Sequence, residues 1–269
     1  MTLQRLALGD VPAADSAPKA PAAPRERGSA ANPWPGPAGT FPARCPLCGG
    51  ALEPMPGMEG RARHRSTRNS ARCVLTTRRY QPDDLIVRGP GDLAIAERNR
   101  RRFLEHWDVH FTIARRVWPG LTLARFMNLL ALADVLDLWS YPALRDEDLP
   151  AVLLVMAGFL RVPQAGGSRS AGTAAADGEP CWGRFWFEAS VRDASDLWRT
   201  PEPAPNLFLV HYREPVATPF PTGAQVCGWH RVDGMREAWR EALEAPAPRV
   251  ADHERAVFRR FIAARAGGV

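Results

Sequence analysis

Lysine is nearly absent from this chain. Of 35 basic residues among 269, one is lysine, Lys19, and the rest are arginine. That absence excludes several chemistries at once. A P-loop needs a lysine on the phosphates after its glycine turn. A protein-kinase site needs one on a strand, and a Schiff-base enzyme needs one as nucleophile. A restriction-type nuclease core of PD-(D/E)xK pattern also lacks its lysine. Long apolar runs are missing too. The longest uncharged one, Leu149 to Leu160, has twelve residues, where a bilayer-spanning helix needs about twenty. The opening MTLQRLALGD has no signal-peptide core and places Asp10 early, so export is not expected and the chain reads as cytoplasmic. Five cysteines with one CxxC pair fit a reducing compartment and metal ligation better than a disulfide framework. Neither a GxSxG elbow nor a GxGxxG fingerprint occurs.

What is present is ordinary globular composition, 45% apolar and 24% charged, which excludes a wholly disordered or collagen-like chain. The net charge of +6 is unevenly spread. Residues 61 to 116 carry 14 arginines and 6 acidic residues, a local net of +8, so the remainder sums to −2. Arg61, Arg63, Arg65, Arg68, Arg72, Arg78 and Arg79 have no acidic residue among them, and Arg98, Arg100, Arg101 and Arg102 follow. Such a cluster suits phosphate backbones, because each neutralised phosphate releases a counterion. A solvated basic face, compensation for thiolates and a GC-rich coding bias account for the same residues.

The chain divides by composition. Residues 1–44 hold eight prolines and little periodicity, so they are expected to be a disordered Ala/Pro-rich tail. Residues 45–88 read as a small β-rich, zinc-ribbon-like module, with strand-like pieces at VLTT and LIV around a Gln81-Pro82-Asp83-Asp84 turn. Residues 89–269 read as a helical bundle plus a short antiparallel sheet. Gly89-Pro90-Gly91 breaks the chain and Asp92 caps a helix. Ala96, Phe103, Trp107, Phe111, Ala114 and Trp118 then recur at helical spacing, predicting one long helix to about Val117. Thr122 caps a second, with Leu123, Phe126, Met127, Leu130, Ala133 and Leu138 or Trp139 as core. A third runs from Leu149 to Leu160 behind Asp146, Glu147 and Asp148, whose charge suits a helix N-terminus. Residues 163–180 are a Gly/Ser/Ala-rich flexible loop. Trp182 to Arg192 alternates, with Phe185 and Phe187 on a buried face and Trp182, Arg184 and Trp186 opposite. Asn206 to Arg213 and Gln225 to Arg231 complete a sheet. Met235 to Leu243 and Ala251 to Ala264 are closing helices. The fold class expected is α+β.

The sharpest motif is Cys45-Pro-Leu-Cys48-Gly49-Gly50. Two thiolates three residues apart can bind one metal from a tight turn, and the glycines let the backbone bend back toward the sulfurs. A thioredoxin-like pair would open a helix, and Gly49-Gly50 opens none. Tetrahedral zinc needs two more ligands, and His64 and Cys73 lie nearest, giving Cys45, Cys48, His64 and Cys73 as the Zn²⁺ site. A rival set pairs Cys45 and Cys48 with Cys227 and His230; against it, Cys227 reads as a small buried hydrophobe. Cys181 has no partner nearby.

On those residues, with His64 inside RHRSTRNSARC, the segment resembles the N-terminal zinc module of competence CoiA-like bacterial proteins. The resemblance covers about 45 residues. The family often has a second histidine three residues before the one matching His64, where this chain has Arg61. Such proteins can carry a nuclease domain downstream, so the resemblance implies a link to DNA, although no such domain is recognisable in this sequence.

Two further constellations stand out. His106 and His110 lie one helical turn apart beside Glu105 and Asp108, spacing that suits a metal or acid–base chemistry, or histidines packing at the edge of a core. Trp182, Phe185, Trp186, Phe187, Phe208 and Tyr212 form either a stacking sheet for single-stranded nucleic acid or core. The reading taken forward is a non-enzymatic, zinc-stabilised interaction protein, with Arg63, Arg65, Arg68 and Arg72 as nucleic-acid contacts. The alternatives are a metal-dependent hydrolase or nuclease at His106, Asp108 and His110, and a protein–protein adaptor.

Overall fold

The helical half begins where the sequence places its breaker, in a computed structural model that describes residues 43–45, 49–54, 62–68, 73, 85–162, 182–188, 190–199, 204–213, 226–244 and 250–266. All of these belong to one compact unit, Ala31–Val269. The side chains of Val226, Cys227 and Ala266 are not described. Cys48, Arg61, Arg72, Arg78, Arg79, Cys181, the turn at 81–84, the loop 163–180 and the tail as far as residue 42 lie outside the described residues.

Asp92 caps helix α1 (Leu93–Glu105), its carboxylate accepting the Ile95 N–H at 3.0 Å. Gly89 is needed just upstream because a Cβ there would sit 1.7 Å from the Asp137 carbonyl oxygen. The single long helix expected from the apolar stripe is two. α1 ends at His106, and α2 (Trp107–Val117) restarts with its first N–H groups bonded back to the His106 carbonyl. The break re-aims the second segment. Trp107 stacks on Phe258 at 3.8 Å, while His110 inserts between Phe103 and Trp239.

Thr122 caps α3 (Leu123–Val135) as expected. This helix stops before Leu138 and Trp139, which fall in a separate 3₁₀ turn, Leu138–Ser140, entered through a left-handed Asp137. The third helix, α4 (Leu149–Met156), is also shorter than its apolar run, because Gly158 takes a left-handed conformation and turns the chain into strand β3 (Leu160–Arg161). The acidic residues ahead of α4 form a 3₁₀ turn, Asp146–Asp148, and make ion pairs in place of a cap. Asp148 is buried and accepts from Arg145, Arg236 and the Trp198 indole. Asp134 does the same for Arg100, Arg265 and Trp139. A planar guanidinium that always stays charged suits such partly buried pairs better than a lysine. Among the described residues, Arg100, Arg102, Arg115, Arg236, Arg255 and Arg265 tie one helical element to another through such pairs.

A second group of strands, β4 (Trp182–Phe187), β5 (Leu207–Tyr212) and β6 (Val226–Val232), joins β3 in an antiparallel sheet of order β3-β4-β5-β6. Strand β4 ends five residues before Arg192, where Glu188 bonds Ser190 and Asn206 and folds the chain back. A short helix, α5 (Asp196–Arg199), follows, and α6 (Met235–Glu244) and α7 (Asp252–Ala266) close the chain. The fold is α+β, with seven α-helices and two antiparallel sheets among the described residues.

One face of the large sheet carries Phe185, Leu207 and Leu209 into the main core with Phe103, Phe111, Phe126 and the α4 leucines. Gly183 lies on this face, where the Trp118 ring occupies the space a Cβ would need. The expectation that Arg184 and Trp186 stand exposed opposite is wrong: they are 8% and 6% exposed. A two-stranded hairpin, β1 (Leu52–Pro54) with β2 (Ala62–His64), belongs to a second buried cluster on that face. Its Leu52 and Ala62 share the cluster with Trp186, Phe208, Val210 and Tyr212. The aromatic sheet is core on both sides, the second of the two readings of these residues. The segment 85–87, expected to belong to the β-rich module, instead forms an isolated parallel bridge between Ile86 and Asp193.

Candidate metal centre

The turn that opens the hairpin closes on itself. The Gly49 N–H bonds to the Cys45 carbonyl at 2.8 Å, the Cys45 N–H bonds to the Gly50 carbonyl at 2.8 Å, and the Arg44 guanidinium holds the Gly49 carbonyl. Gly49 sits at φ +67°, a conformation that a residue with a Cβ rarely adopts. Arg44, expected in the tail, pairs with Ala51 and extends the hairpin.

Cys45, His64 and Cys73 converge. Their ligand atoms all lie within 4.8 Å of one another. The two sulfurs are 3.6 Å apart and no disulfide joins them. Two thiolates bound at about 2.3 Å to one tetrahedral ion stand about 3.8 Å apart, whereas a disulfide needs about 2.05 Å. The spacing is compatible with a shared ion. Strand β2 delivers His64 opposite Leu52. The cysteines are each 1% exposed and His64 is 5% exposed. This buried Cys–His–Cys group can hold a metal ion such as zinc.

Three of the four expected ligands are thus brought together, and Cys48 lies outside the described residues. The sequence reading missed the wall behind them. Trp186, Phe208, Val210 and Tyr212 come from strands more than a hundred residues downstream and share the cluster with Cys45 and Cys73. Trp186 donates its indole N–H to the Tyr212 hydroxyl at 2.9 Å, satisfying both groups inside it. The signal was available: in LFLVHY, both alternate sets are largely apolar, the pattern of a strand buried on two faces.

The described flanking arginines are on the surface. Arg63 and Arg65 share one carboxylate, Glu53, at 2.8 and 3.9 Å, and both are well exposed, as is Arg68. Of the four helical arginines, Arg100 and Arg102 are taken by Asp134 and Asp146, while Arg98 and Arg101 remain exposed.

The His106, Asp108 and His110 constellation is not assembled for chemistry. His110 is fully buried, with ring centroids 4.5 Å from Phe103 and 4.3 Å from Trp239, and neither nitrogen finds a hydrogen bond. Burial pushes its pKa well below the usual value, with His106 and Arg102 adding to the shift. His106 meets the edge of the Trp239 ring, and Asp108 is held by Arg255 at 3.0 Å. Both histidines pack on the same Trp239 ring, as histidines at the edge of a core do. The rival set through His230 is also not formed. His230 pairs with Leu209, which faces the main core, so it lies on the opposite side of the sheet from Cys45.

No protein-family model, curated protein or solved structure matches the chain. Among the described residues, no helix is long and apolar enough to cross a membrane.

Proposed function

We propose that this chain is a zinc-stabilised, non-enzymatic interaction protein, with Cys45, Cys48, His64 and Cys73 as the four ligands of one structural Zn²⁺. The observation that carries the reading is the buried convergence of Cys45, His64 and Cys73 on one point. Three thiolates and a neutral imidazole complete a tetrahedron of the Cys₃His type. Cys48, three residues after Cys45 in the sequence, is the fourth donor in this reading. The ion supplies folding free energy to a hairpin whose paired strands have three residues each.

The partner proposed is nucleic acid, contacted through its phosphates by Arg63, Arg65, Arg68 and Arg72. Two guanidiniums sharing one carboxylate at Glu53 leave a net positive surface beside the ion. The resemblance of the Cys45–Cys73 segment to the zinc module of competence CoiA-like proteins points the same way. Binding of duplex and single-stranded DNA and of RNA, measured across a salt series, tests this. Each neutralised phosphate steepens the fall of log affinity with log salt by about 0.9. Replacing Arg63, Arg65 and Arg68 together by Gln is expected to flatten the slope by about 1 for each phosphate no longer neutralised. No salt-sensitive binding at low ionic strength would reject nucleic acid and favour a protein partner.

A further inference from the structure

We propose that a cleft at one end of the large sheet binds a small organic cation, an amine or guanidine carrying an apolar body, with Glu147 and Glu237 taking its charge. The cleft has a volume of about 600 Å³, within the range of small-molecule sites. Its floor is the last rung of the sheet, where Phe187 pairs with Leu207 and Leu207 with Val232. The turn from β6 into α6, the 3₁₀ turn before α4, Leu197 of α5 and residues 204–206 close it. None of the lining residues belongs to the cysteine cluster, so the inference does not rest on the metal reading.

The lining is half apolar and half charged. Phe187, Leu197, Leu207, Val232 and Met235 supply the apolar part. The charged part sets Glu147, Asp148, Asp233 and Glu237 against Arg231 and Arg236, a formal net of −2 in a chain of net +6. Both arginines are already matched, Arg236 by Asp148 at 2.8 Å and Arg231 by Asp233 at 2.7 Å. Glu147 and Glu237 are not. Their nearest cations, Arg236 and Arg240, stand at 3.9 and 3.8 Å, beyond hydrogen-bond reach. The first turn of α6 adds about half a positive charge, less than these two carboxylates carry. An anion in the cleft would meet unmatched charge of its own sign, which also sets aside the nucleic acid proposed for the hairpin arginines. A metal ion is unsuited, because among the described residues only Cys45, His64 and Cys73 bring three ligand atoms together. An organic cation fits both halves, with its N–H donors on the carboxylates and its hydrocarbon on the apolar floor.

The full-length chain is titrated separately with phenylbutylamine, phenylbutanol and phenylbutyrate, three probes that share a body and differ in charge, while backbone amide ¹⁵N resonances are followed. The amine is expected to move the amides of Gly234 and Glu237 and to bind about tenfold more tightly than the alcohol. The carboxylate should bind least. Replacing Glu147 and Glu237 together by Gln should bring the amine down to the alcohol's affinity, whereas Glu241→Gln, on α6 but outside the cleft, should change nothing. Should the double variant fail to fold, Glu237→Gln alone, at an exposed position, is expected to weaken the amine about threefold. An amine that moves no cleft amide, a carboxylate that binds as well as the amine, or a Glu237→Gln chain with unchanged amine affinity overturns the proposal.

Discussion

The two faces of the four-stranded sheet are covered by unlike means. On one side, Phe103, Phe111, Phe126, Phe185 and the leucines of α4 form a core large enough to hold itself by apolar burial, at about 25 cal/mol per Å² removed from water. On the other, Leu52 and Ala62 of a hairpin with three-residue strands add to the sheet's own aromatics, and two cysteines and a histidine converge. A short hairpin does not hold together by itself in water. If the Cys–His–Cys group holds its ion, one sheet is finished by hydrophobic mass on one face and by coordination on the other, and the two faces should fail separately.

Removing the ion is the strongest way to break that comparison. Structural zinc sites in small modules carry about 10–16 kcal/mol of apparent binding free energy at neutral pH. A strong chelator should raise amide exchange across the described hairpin residues, 49–54 and 62–65, and change the emission of Trp186. The far-UV signal of the helices should hardly move. Joint loss of helix and hairpin would show that the faces are one cooperative unit.

Damage to the other face should behave oppositely. Phe103 is 0% exposed and packs on His110, Phe126 and Trp139. Phe103→Ala is expected to cost about 3–5 kcal/mol in denaturant unfolding, with metal retention unchanged under native conditions.

His110 gives a smaller, pH-dependent test of the same side. Its folded pKa lies below the unfolded value of about 6.5. The unfolded chain therefore binds the extra proton first as pH falls. The stability is whole above about pH 6.5 and is lost below it, by up to about 1.4 kcal/mol per pH unit until the folded pKa is reached. His110→Phe keeps a ring between Phe103 and Trp239 and removes the proton. Its thermal midpoint should fall less than the wild type's between pH 6.5 and 5, and parallel curves would show that His110 titrates normally.

Smallest of all is the surface of the hairpin. Glu53→Gln removes the carboxylate shared by Arg63 and Arg65, and an exposed pair of this kind contributes under about 1 kcal/mol. Unfolding should be nearly unchanged while nucleic-acid affinity rises, because two guanidiniums are released.

Local signals were the legible part. The caps at Asp92 and Thr122, the glycine turn after Cys45 and the strand positions of 182–187 and 207–212 follow from short-range chemistry that a reader can apply residue by residue. Cys45, His64 and Cys73 were legible because ligand types are rare and spaced. What depended on long-range closure was not. The break at His106 comes with no Pro or Gly, and its visible consequence is the pairing of Trp107 with Phe258, 151 residues later. Arg184 and Trp186 read as exposed because nothing in β4 announces the hairpin that shares their face. Asp148 read as a helix-terminal charge, yet its partner Arg236 is 88 residues away.

Zinc counted on the purified full-length chain after size exclusion addresses the central claim most directly. The account predicts one tightly retained ion per chain, lost in both Cys48→Ser and Cys73→Ser and kept when His106 and His110 are both replaced. A chain that retains no zinc, or a Cys73→Ser variant that holds it as firmly as the wild type, would contradict it.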